Sequence, residues 1–298
     1  EKSFSSKILL FGEYSIIRNS MALSTPYSLF DGKLTFQREK GIDSELKAFA
    51  QYLKQLDQRG ELIFEFDSRS FDFDVSQGLS FDSTIPQGYG VGSSGALCAA
   101  ILDRYSSSEI DLTNISLLKS IFSQMESHFH GSSSGVDPLN SYLNKPLLIE
   151  SKESIRPVSF PNYKNGEGGI FLLNTGRSRR TEPLVNLFLE KCEQASFSNL
   201  CDNVLSPITN NCISSFLEGD TTSLYEFFRE LSDFQFRHFK GMIPKLYQEL
   251  WLEGIKYENY YLKLCGAGGG GFMMGMTKSF SEAENILKGH EIRPLYKF

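Results

Sequence analysis

The segment QGYGVGSSGALCAAI, residues 87–101, constrains the fold most, because its glycines run directly into a series of good helix formers. Glycine lacks a Cβ atom, so backbone N–H groups in such a loop can approach a polyphosphate, and the following helix start adds its dipole. Serine hydroxyls at the helix start can cap the helix or bind Mg²⁺ and phosphate oxygens. We predict a phosphate-binding loop, with a ligand-free tight turn as the alternative; its residues are Gly88, Gly90, Val91, Gly92, Ser93, Ser94 and Gly95.

Other nucleotide-binding motifs fit this loop less well. Gly90, Gly92 and Gly95 satisfy GxGxxG, but the dinucleotide fingerprint also needs a preceding buried strand and an acid at the end of the next strand. Here Pro86 interrupts the approach, and the acid at about the right distance, Asp111, precedes a helix. The chain contains no GxxxxGK[ST] loop and neither the HRD nor the DFG sequence of protein kinases. A dinucleotide oxidoreductase is therefore a remote alternative.

Two acids further along the chain are candidates for chemistry. Glu126 lies one helical turn beyond Phe122, close to the apolar stripe of a predicted helix, so its carboxylate needs a partner. Mg²⁺ would satisfy the carboxylate, and so would a salt bridge or a hydrogen bond at the helix end. Asp137 follows the small-residue segment GSSSGVD, and Pro138 behind it favours an extended backbone that presents the carboxylate rigidly.

A lysine near Asp137 would keep that carboxylate ionised and would neutralise charge on a transferred phosphoryl group. Lys7, on the first predicted strand, is the candidate. His128 and His130 have no third ligand at a metal-binding spacing, so we predict that they are surface or helix-end residues. The glycines at 266–271 resemble a linker in composition, but apolar strand-like runs flank them, which favours a close approach of backbone segments.

Apolar periodicity and turn residues predict a mixture of helices and strands. The start KILLFGEYSII predicts a strand, a turn at Gly12 and a second strand. Further strands are predicted at 62–66, within 72–86, at 147–150 and 169–174, on both sides of the 266–271 glycines, and at 294–298. Helices are predicted at 42–58, after the 87–95 loop, from Thr113 to Gly131, over 182–239 with breaks at Pro207 and Gly219, and at 281–288.

Composition limits the classes of protein that fit. A chain of 298 residues with 40% hydrophobic residues can fill one large core or two moderate ones. Its formal charge of −6 speaks against a nucleic-acid binder, which needs a basic face. The five cysteines show no CxxC pair, so we expect free thiols and a cytoplasmic protein. We find no apolar stretch of bilayer-spanning length and no signal-peptide pattern, and we expect no membrane partner.

Three blocks stand in order along the chain: KILLFGEYSII, IPQGYGVGSSGALCAA and LKLCGAGGGGFMMG. Together they resemble the signature motifs of the GHMP superfamily, named for galactokinase, homoserine kinase, mevalonate kinase and phosphomevalonate kinase, whose second motif runs PxGxGLGSSAA and third KxxGAGGGG. The resemblance implies an α+β fold with a ribosomal protein S5 domain 2-like N-terminal domain, a ferredoxin-like α/β C-terminal domain, and the ligands in the cleft between them. We place the ATP-binding domain at 1–160 and the C-terminal domain at 161–298.

The segment ESHFHGSSSGVD resembles the mevalonate kinase form, in which a Mg²⁺-binding Glu precedes an HGxPSGxD loop with the catalytic Asp. The resemblance implies that Ser94 and Glu126 bind Mg²⁺ and that Asp137 and Lys7 are catalytic. The segment NTGRSRRTEPLV resembles the family's segment ending in TxxLV, which implies that Thr181 lies near the acceptor or near the catalytic Asp. Further acceptor contacts are implied for Glu13, Tyr14, Gly266, Ala267 and Gly268.

The implied cofactors are ATP and Mg²⁺, and the implied reaction is phosphorylation of mevalonate to 5-phosphomevalonate in isoprenoid biosynthesis. The first motif usually ends GEH, but here Tyr14 stands in place of the histidine, so an acceptor contact is absent or made by the phenol. Alternatives are a phosphomevalonate kinase, a sugar 1-kinase, a diphosphomevalonate decarboxylase, or a non-catalytic nucleotide-binding member. We expect a small-molecule partner and leave open whether the chain forms a homodimer.

Overall fold

The computed structural model describes residues 2–37, 39 and 41–298. The strands are β1 (Phe4–Phe11), β2 (Ala22–Phe36), β3 (Leu79–Ser83), β4 (Leu147–Ile149), β5 (Ile155–Pro157), β6 (Gly169–Asn174), β7 (Tyr260–Leu264), β8 (Phe272–Thr277) and β9 (Glu291–Lys297). The helices are α1 (Ser44–Gln58), α2 (Ser68–Ser76), α3 (Ser93–Tyr105), α4 (Ile115–His130), α5 (Val136–Leu143), α6 (Glu182–Cys192), α7 (Ala195–Leu200), α8 (Ser206–Glu218), α9 (Thr221–His238), α10 (Lys245–Tyr257) and α11 (Phe280–Ile286). The predicted α+β class is confirmed.

The chain forms two compact units that interleave along the sequence. The first unit contains the residues up to Lys7, Thr25–Pro86 and Val91–Lys145, and the second contains Ile8–Ser24, Gln87–Gly90 and Pro146–Phe298. Strands β1 and β2 each pass from one unit to the other. The limits predicted from the sequence, 1–160 and 161–298, stay a prediction.

The first unit combines the first residues of β1, most of β2 and the whole of β3 with helices α1 to α5, and β2 pairs with both β1 and β3. The second part of β2 pairs antiparallel with β3, from Gly32↔Ser83 to Phe36↔Leu79. Helix α1 begins where the Asp43 carboxylate accepts the N–H groups of Glu45 and Leu46, which the first helical turn leaves unpaired. The core comes from the apolar faces of these helices and includes Leu46, Phe49, Leu53, Phe71, Leu97, Ile101, Phe122, Met125 and Leu139. Helix α3 packs on α4 and α5, which positions their ends.

The second unit is built on an antiparallel sheet with the strand order β7-β8-β6-β9. Strand β8 is buried along its whole length, and β6 pairs with it from Gly169↔Thr277 to Asn174↔Phe272. Helices α9 and α10 contact β7, and the buried Trp251 of α10 donates its indole N–H to the carbonyl of Ser232. In the same unit, the first residues of β2 pair with β4, and β4 pairs with β5. None of the helices in the described ranges has the length and hydropathy to cross a membrane.

Several predicted elements differ from the observed ones. The segment after Gly12 is a 3-10 helix, Ser15–Arg18, and not a strand, because Tyr14 adopts a left-handed φ of 63° that turns the chain. Residues 62–66 alternate like a strand but form only the isolated bridge Phe66↔Ser106. The first part of the predicted strand region 72–86 is the end of helix α2, which the Asp67 carboxylate caps. The helix cap at Asp67 therefore determines the structure of this segment, although its short apolar pattern is typical of a strand.

The helical region after Thr181 breaks at Gln194, which is extended between α6 and α7, and not at Pro207 as predicted. Pro207 lies in the first turn of α8 and does not break the path, because a π-helical turn, Cys201–Leu205, joins α7 to α8. Such a turn changes the hydrogen-bond pattern where proline offers no N–H. The predicted break at Gly219 is confirmed, since this glycine ends α8 with a φ of 78°. The predicted helix start near Thr113 is confirmed to within one residue, with Asn114 as the actual cap.

Candidate functional site

The predicted phosphate-binding loop enters helix α3 in the first unit. Gly92 occupies the N-cap position with a φ of 80°, and none of the described side chains caps this helix start by a hydrogen bond. A Cβ atom at Gly92 would lie 2.9 Å from Lys7 Cγ, and the carbonyl of Val91 accepts the backbone N–H of Lys7. The loop therefore lies directly on β1 at Lys7, with the N–H groups of an uncapped helix start available to an anion.

Lys7 and Asp137 form an ion pair beside this loop. Lys7 Nζ lies 2.9 Å from Asp137 Oδ2, and the lysine side chain is 10% exposed. Asp137 is close to α3 because Gly95 has no side chain: a Cβ atom there would lie 2.8 Å from Pro138 N and 2.9 Å from Asp137 C. The prediction of an extended Asp137 was wrong, since the residue lies in the first turn of α5, where a following proline is tolerated.

Glu126 lies on α4 with its side chain turned into the first unit and is 4% exposed. Ser94 Oγ donates a hydrogen bond of 2.9 Å to Glu126 Oε1, and Ser133 Oγ donates to Oε2. Burial raises the pKa of Glu126 to about 7, and the negative charge of Asp137 contributes to this rise. The two hydroxyls and Lys7 oppose the increase. The carboxylate is thus a group whose ionisation a bound cation would strongly favour.

The chemistry of these side chains fits Mg²⁺. Ser94 and Glu126 offer a hydroxyl and a carboxylate oxygen in direct contact, and hard oxygen ligands are those that Mg²⁺ prefers. No cluster of three or more His, Cys, Asp or Glu side chains suited to a metal occurs in the described part of the chain. The protein would therefore supply few ligands, and phosphate oxygens and water would supply the rest, as is common for Mg²⁺ at nucleotides.

His130 also contacts this group, which the sequence reasoning missed. Its Nε2 lies 3.0 Å from Ser94 Oγ. Since the Ser94 hydroxyl proton is given to Glu126, the imidazole donates and the serine oxygen accepts. His130 lies four residues after Glu126 on the same face of α4, so the helical spacing already indicates that the two side chains are neighbours.

In the second unit, the glycines at 266–271 connect β7 to β8 and bring backbone segments together. Gly268 has a φ of 82°, and a Cβ atom there would lie 2.4 Å from the carbonyl oxygen of Met242. A Cβ atom at Gly271 would lie 2.7 Å from the carbonyl oxygen of Tyr89. The predicted close approach is confirmed, because other residues could adopt neither the backbone conformation nor the packing without strain.

Glu13 and Tyr14 both have partners inside the second unit. Glu13 Oε1 lies 2.6 Å from Lys263 Nζ, and these side chains are 1% and 0% exposed. Burial raises the pKa of Glu13, while the Lys263 ammonium acts in the opposite direction. The phenol of Tyr14 donates a hydrogen bond of 2.5 Å to the carbonyl of Ala267. The predicted contacts of Glu13 and Tyr14 with the acceptor stay predictions. In the structure, both side chains make stabilising contacts inside the second unit.

Arg179 is a further residue that the sequence reasoning missed. Its Nη2 lies 2.2 Å from the position of a Cβ atom at Gly90 and 2.6 Å from one at Gly266, so the guanidinium occupies space that these glycines leave. Its Nη1 donates to Thr181 Oγ1 at 3.3 Å, and its buried Nε has no hydrogen-bond partner. Burial lowers the pKa of Arg179. No carboxylate among the described residues forms a salt bridge with this guanidinium, which is therefore suited to an anionic ligand.

The structure thus gathers the predicted residues in two groups. The first unit brings together Lys7, Val91, Gly92, Ser93, Ser94, Gly95, Glu126 and Asp137. The second unit contains Glu13, Tyr14, Gly88, Gly90, Thr181, Gly266, Ala267 and Gly268. Gly88 accepts the backbone N–H of Arg179 through its carbonyl at 2.9 Å, which fixes the first part of the loop to the Arg179 segment.

Comparisons with known proteins agree with the resemblance to the GHMP kinases. Residues 47–145 match the family described as GHMP kinases N terminal domain. A mevalonate kinase of Dictyostelium discoideum is 25% identical over 242 residues, which are 70% of this chain and 60% of that protein. The chain therefore spans less than two thirds of the length of this curated relative.

Solved structures share the fold over nearly the whole chain. The mevalonate kinase of L. major in complex with R-mevalonate has a TM-score of 0.64 and 18% identity, with 96% of this chain and 90% of that chain covered. The phosphomevalonate kinase of Streptococcus pneumoniae, in complex with phosphomevalonate and AMPPNP, has a TM-score of 0.66 and 14% identity, with 99% and 98% covered. The resemblance to the GHMP kinases and the two-domain α+β fold are confirmed.

Proposed function

We propose that this chain, which has the fold of the GHMP kinases, is an ATP-dependent kinase for the hydroxyl group of a small anionic molecule, with mevalonate as the first candidate. The observation that carries the proposal is the Lys7–Asp137 pair, held against the glycine–serine loop by the close contacts at Gly92 and Gly95. Phosphoryl transfer requires mainly positioning and charge neutralisation, and this group of residues can supply both.

In this proposal the ATP phosphates lie along the loop from Gly88 to Gly95 and at the uncapped start of α3. Ser94 and Glu126 hold Mg²⁺, which neutralises charge on the phosphates when it is bound. Asp137 Oδ2 is engaged with Lys7, so the other carboxylate oxygen is left to orient the acceptor hydroxyl or accept its proton. Lys7 stabilises the charge on the transferred phosphoryl group.

The choice of an anionic acceptor rests on Arg179. A guanidinium with a buried, unpaired Nε and no carboxylate partner in the described ranges is prepared for a carboxylate or phosphate oxygen. Mevalonate carries a carboxylate and phosphomevalonate carries a phosphate as well, whereas a neutral sugar carries neither. Thr181, which accepts a hydrogen bond from Arg179, and the glycines Gly266 and Gly268 are the other proposed acceptor residues.

A panel of acceptors tests the proposal. The protein is incubated with Mg·ATP and, in separate reactions, with mevalonate, phosphomevalonate, diphosphomevalonate or galactose, and the products are identified by mass. We expect a phosphate to be added to mevalonate and at most slow reaction with galactose. Loss of CO₂ from diphosphomevalonate would identify a decarboxylase instead. Binding of Mg·ATP without turnover of any acceptor would identify a non-catalytic member and overturn the kinase proposal.

A further inference from the structure

Both oxygens of the Glu126 carboxylate are held by serine hydroxyls from two segments of the first unit. Ser94, at the start of α3, donates to Oε1, and Ser133, in the loop between α4 and α5, donates to Oε2. Glu126 is 4% exposed, so these hydroxyls replace the water that would otherwise solvate its charge. The orientation of the carboxylate therefore depends on two residues.

Ser133 is itself fixed by two further hydrogen bonds. Its Oγ accepts the backbone N–H of Gly135 at 3.0 Å, and its carbonyl accepts the hydroxyl of Ser123, on α4, at 2.6 Å. Because the Ser133 oxygen already accepts from Gly135, its own proton is directed to Glu126. Ser133 is thus a fixed donor.

The loop that carries Ser133 lies directly on α4. Gly135 has a φ of 74°, and a Cβ atom there would lie 2.2 Å from the carbonyl oxygen of Lys119. A side chain at this position would lift the loop from the helix, and the Ser133 hydroxyl would move away from Glu126. The glycine therefore maintains the hydrogen bond to Glu126 Oε2.

Ser94 has a second task in the proposed function, because its oxygen is a candidate ligand of Mg²⁺. The same oxygen also receives the N–H of His130. When Glu126 Oε1 binds the cation, the Ser94 hydroxyl has to share this carboxylate oxygen with the metal. Ser133 has no such competing ligand, so its hydrogen bond can persist when the cation is present.

We infer that Ser133 is a positioning residue, which anchors Glu126 Oε2 so that Oε1 is presented to the cation. The inference rests on the proposed function, since it concerns the Mg²⁺ that accompanies ATP. Ser133 does not touch the cation or the reacting groups; it acts through Glu126. Its effect is therefore expected on metal-dependent binding of the nucleotide and not on binding of the nucleotide alone.

The variant Ser133→Ala tests this inference. The Kd of ATP is measured by titration calorimetry in EDTA and again with excess Mg²⁺. Loss of a hydrogen bond to a charged group should raise the Kd of Mg·ATP about tenfold. The Kd of ATP in EDTA should stay unchanged. General damage to the fold would weaken binding under both conditions, and an unchanged ratio of the two constants would overturn the inference.

Two further variants control for the position of the substitution in the cavity and for the change in side-chain size at residue 133. Ser120 lines the same cavity of about 350 Å³ as Ser133, but its hydroxyl donates to Ser116, so Ser120→Ala should leave both constants unchanged. Ser133→Thr keeps the hydroxyl and adds one methyl group at a residue that lines this cavity. The threonine variant should retain the wild-type ratio. If it behaves like Ser133→Ala, the hydroxyl is not the cause and the inference fails.

The same measurements separate the inference from the proposed function. A wild-type protein that binds ATP neither with nor without Mg²⁺ would overturn the proposed function, and the role of Ser133 with it. A wild-type protein that binds Mg·ATP more tightly than ATP would support the proposed function. If Ser133→Ala then shows the same preference, the role of Ser133 alone is rejected.

Discussion

The phenol of Tyr14 donates its proton to the backbone carbonyl of Ala267, in the glycine loop between β7 and β8. The ring is 4% exposed and lies against Phe188 and Phe239, with centroids 4.8 Å and 5.2 Å away. Where the motif usually has histidine, this chain therefore uses a tyrosine to hold a backbone segment.

Tyr14→Phe should destabilise the protein without changing its packing. The substitution leaves the carbonyl of Ala267 without its donor, and an unpaired buried acceptor costs about 1–3 kcal/mol. Urea unfolding should show a lower midpoint with an unchanged slope. A phenylalanine variant as stable as the wild type would mean that water or another donor reaches this carbonyl.

Removal of one partner from the Glu13–Lys263 pair should be costly. Both side chains are buried, so Glu13→Gln leaves the Lys263 charge uncompensated, at a cost of about 3–5 kcal/mol in the free energy of unfolding. The double variant Glu13→Gln with Lys263→Met removes both charges and should recover most of that loss. A double-mutant cycle from denaturant unfolding measures the coupling. Additive losses in the double variant would contradict this account.

Asp137→Asn should leave Mg·ATP binding within a few-fold of the wild type and lower turnover by about 100-fold or more. The amide keeps the size of the side chain but can neither accept the acceptor's proton nor carry the charge that pairs with Lys7. Single-turnover kinetics with the acceptor found in the panel, together with calorimetry of Mg·ATP, separates the two effects. Wild-type turnover in this variant would remove Asp137 from the mechanism.

Stability in the absence of metal should depend on pH through Glu126. Its pKa is raised from 4.5 to about 7, so the folded protein retains a proton that the unfolded chain releases. The stabilisation from this proton is complete below pH 4.5 and is lost as the pH rises through about 7. Above pH 7 the neutral variant Glu126→Gln should therefore be more stable than the wild type, by up to a few kcal/mol, since each pKa unit corresponds to about 1.4 kcal/mol.

Denaturant unfolding in EDTA at pH 5 and pH 8 checks this dependence. The difference in unfolding free energy between Glu126→Gln and the wild type should be larger at pH 8 than at pH 5. Equal differences at both pH values would show that the carboxylate is already ionised at pH 5 in the folded protein. Addition of Mg²⁺ with ATP should favour the wild type, because the variant cannot offer a charged ligand.

Gly95→Ala should displace Asp137. The new methyl group would lie within 3 Å of the backbone at Pro138 N and Asp137 C, which cannot move without shifting α5. We expect a loss of about 1–3 kcal/mol in stability, as for other overpacked sites, and a lower kcat. Gly241→Ala is a matched control, because its nearest neighbour is the flexible end of Leu187 at 3.3 Å. Equal stability of the two variants would show that α3 and α5 can separate.

Elements with a strong local signal were predictable from the sequence. The apolar spacing of α1 and α4 and the glycine break between β7 and β8 were read correctly, because neighbouring residues alone determine these patterns. The buried position of Glu126 followed from its distance to Phe122 along one helix face. Short apolar runs were less certain: residues 62–66 alternate like a strand but find no strand partner.

The partners of the site residues were harder to predict, because they come from distant parts of the chain. Lys263 could not be linked to Glu13 by spacing, and Arg179 lies in a segment where the motif indicated only Thr181. The contact between Lys7 and Asp137 likewise depends on how β1 and α5 pack. Ser133 and His130 are nearer to Glu126 in sequence, yet their hydrogen bonds depend on the path of the loop after α4.

The separation of Glu13 and Lys263 by 250 positions also has a consequence for the order of events on the ribosome. Every segment of the first unit has been synthesised by Lys145, whereas the strand that carries Lys263 emerges much later. Until Lys263 has been synthesised, the Glu13 carboxylate has no ammonium group to pair with, so its burial is unfavourable. We therefore expect the segment Ile8–Ser24 to stay hydrated in the nascent chain until β7 has been synthesised.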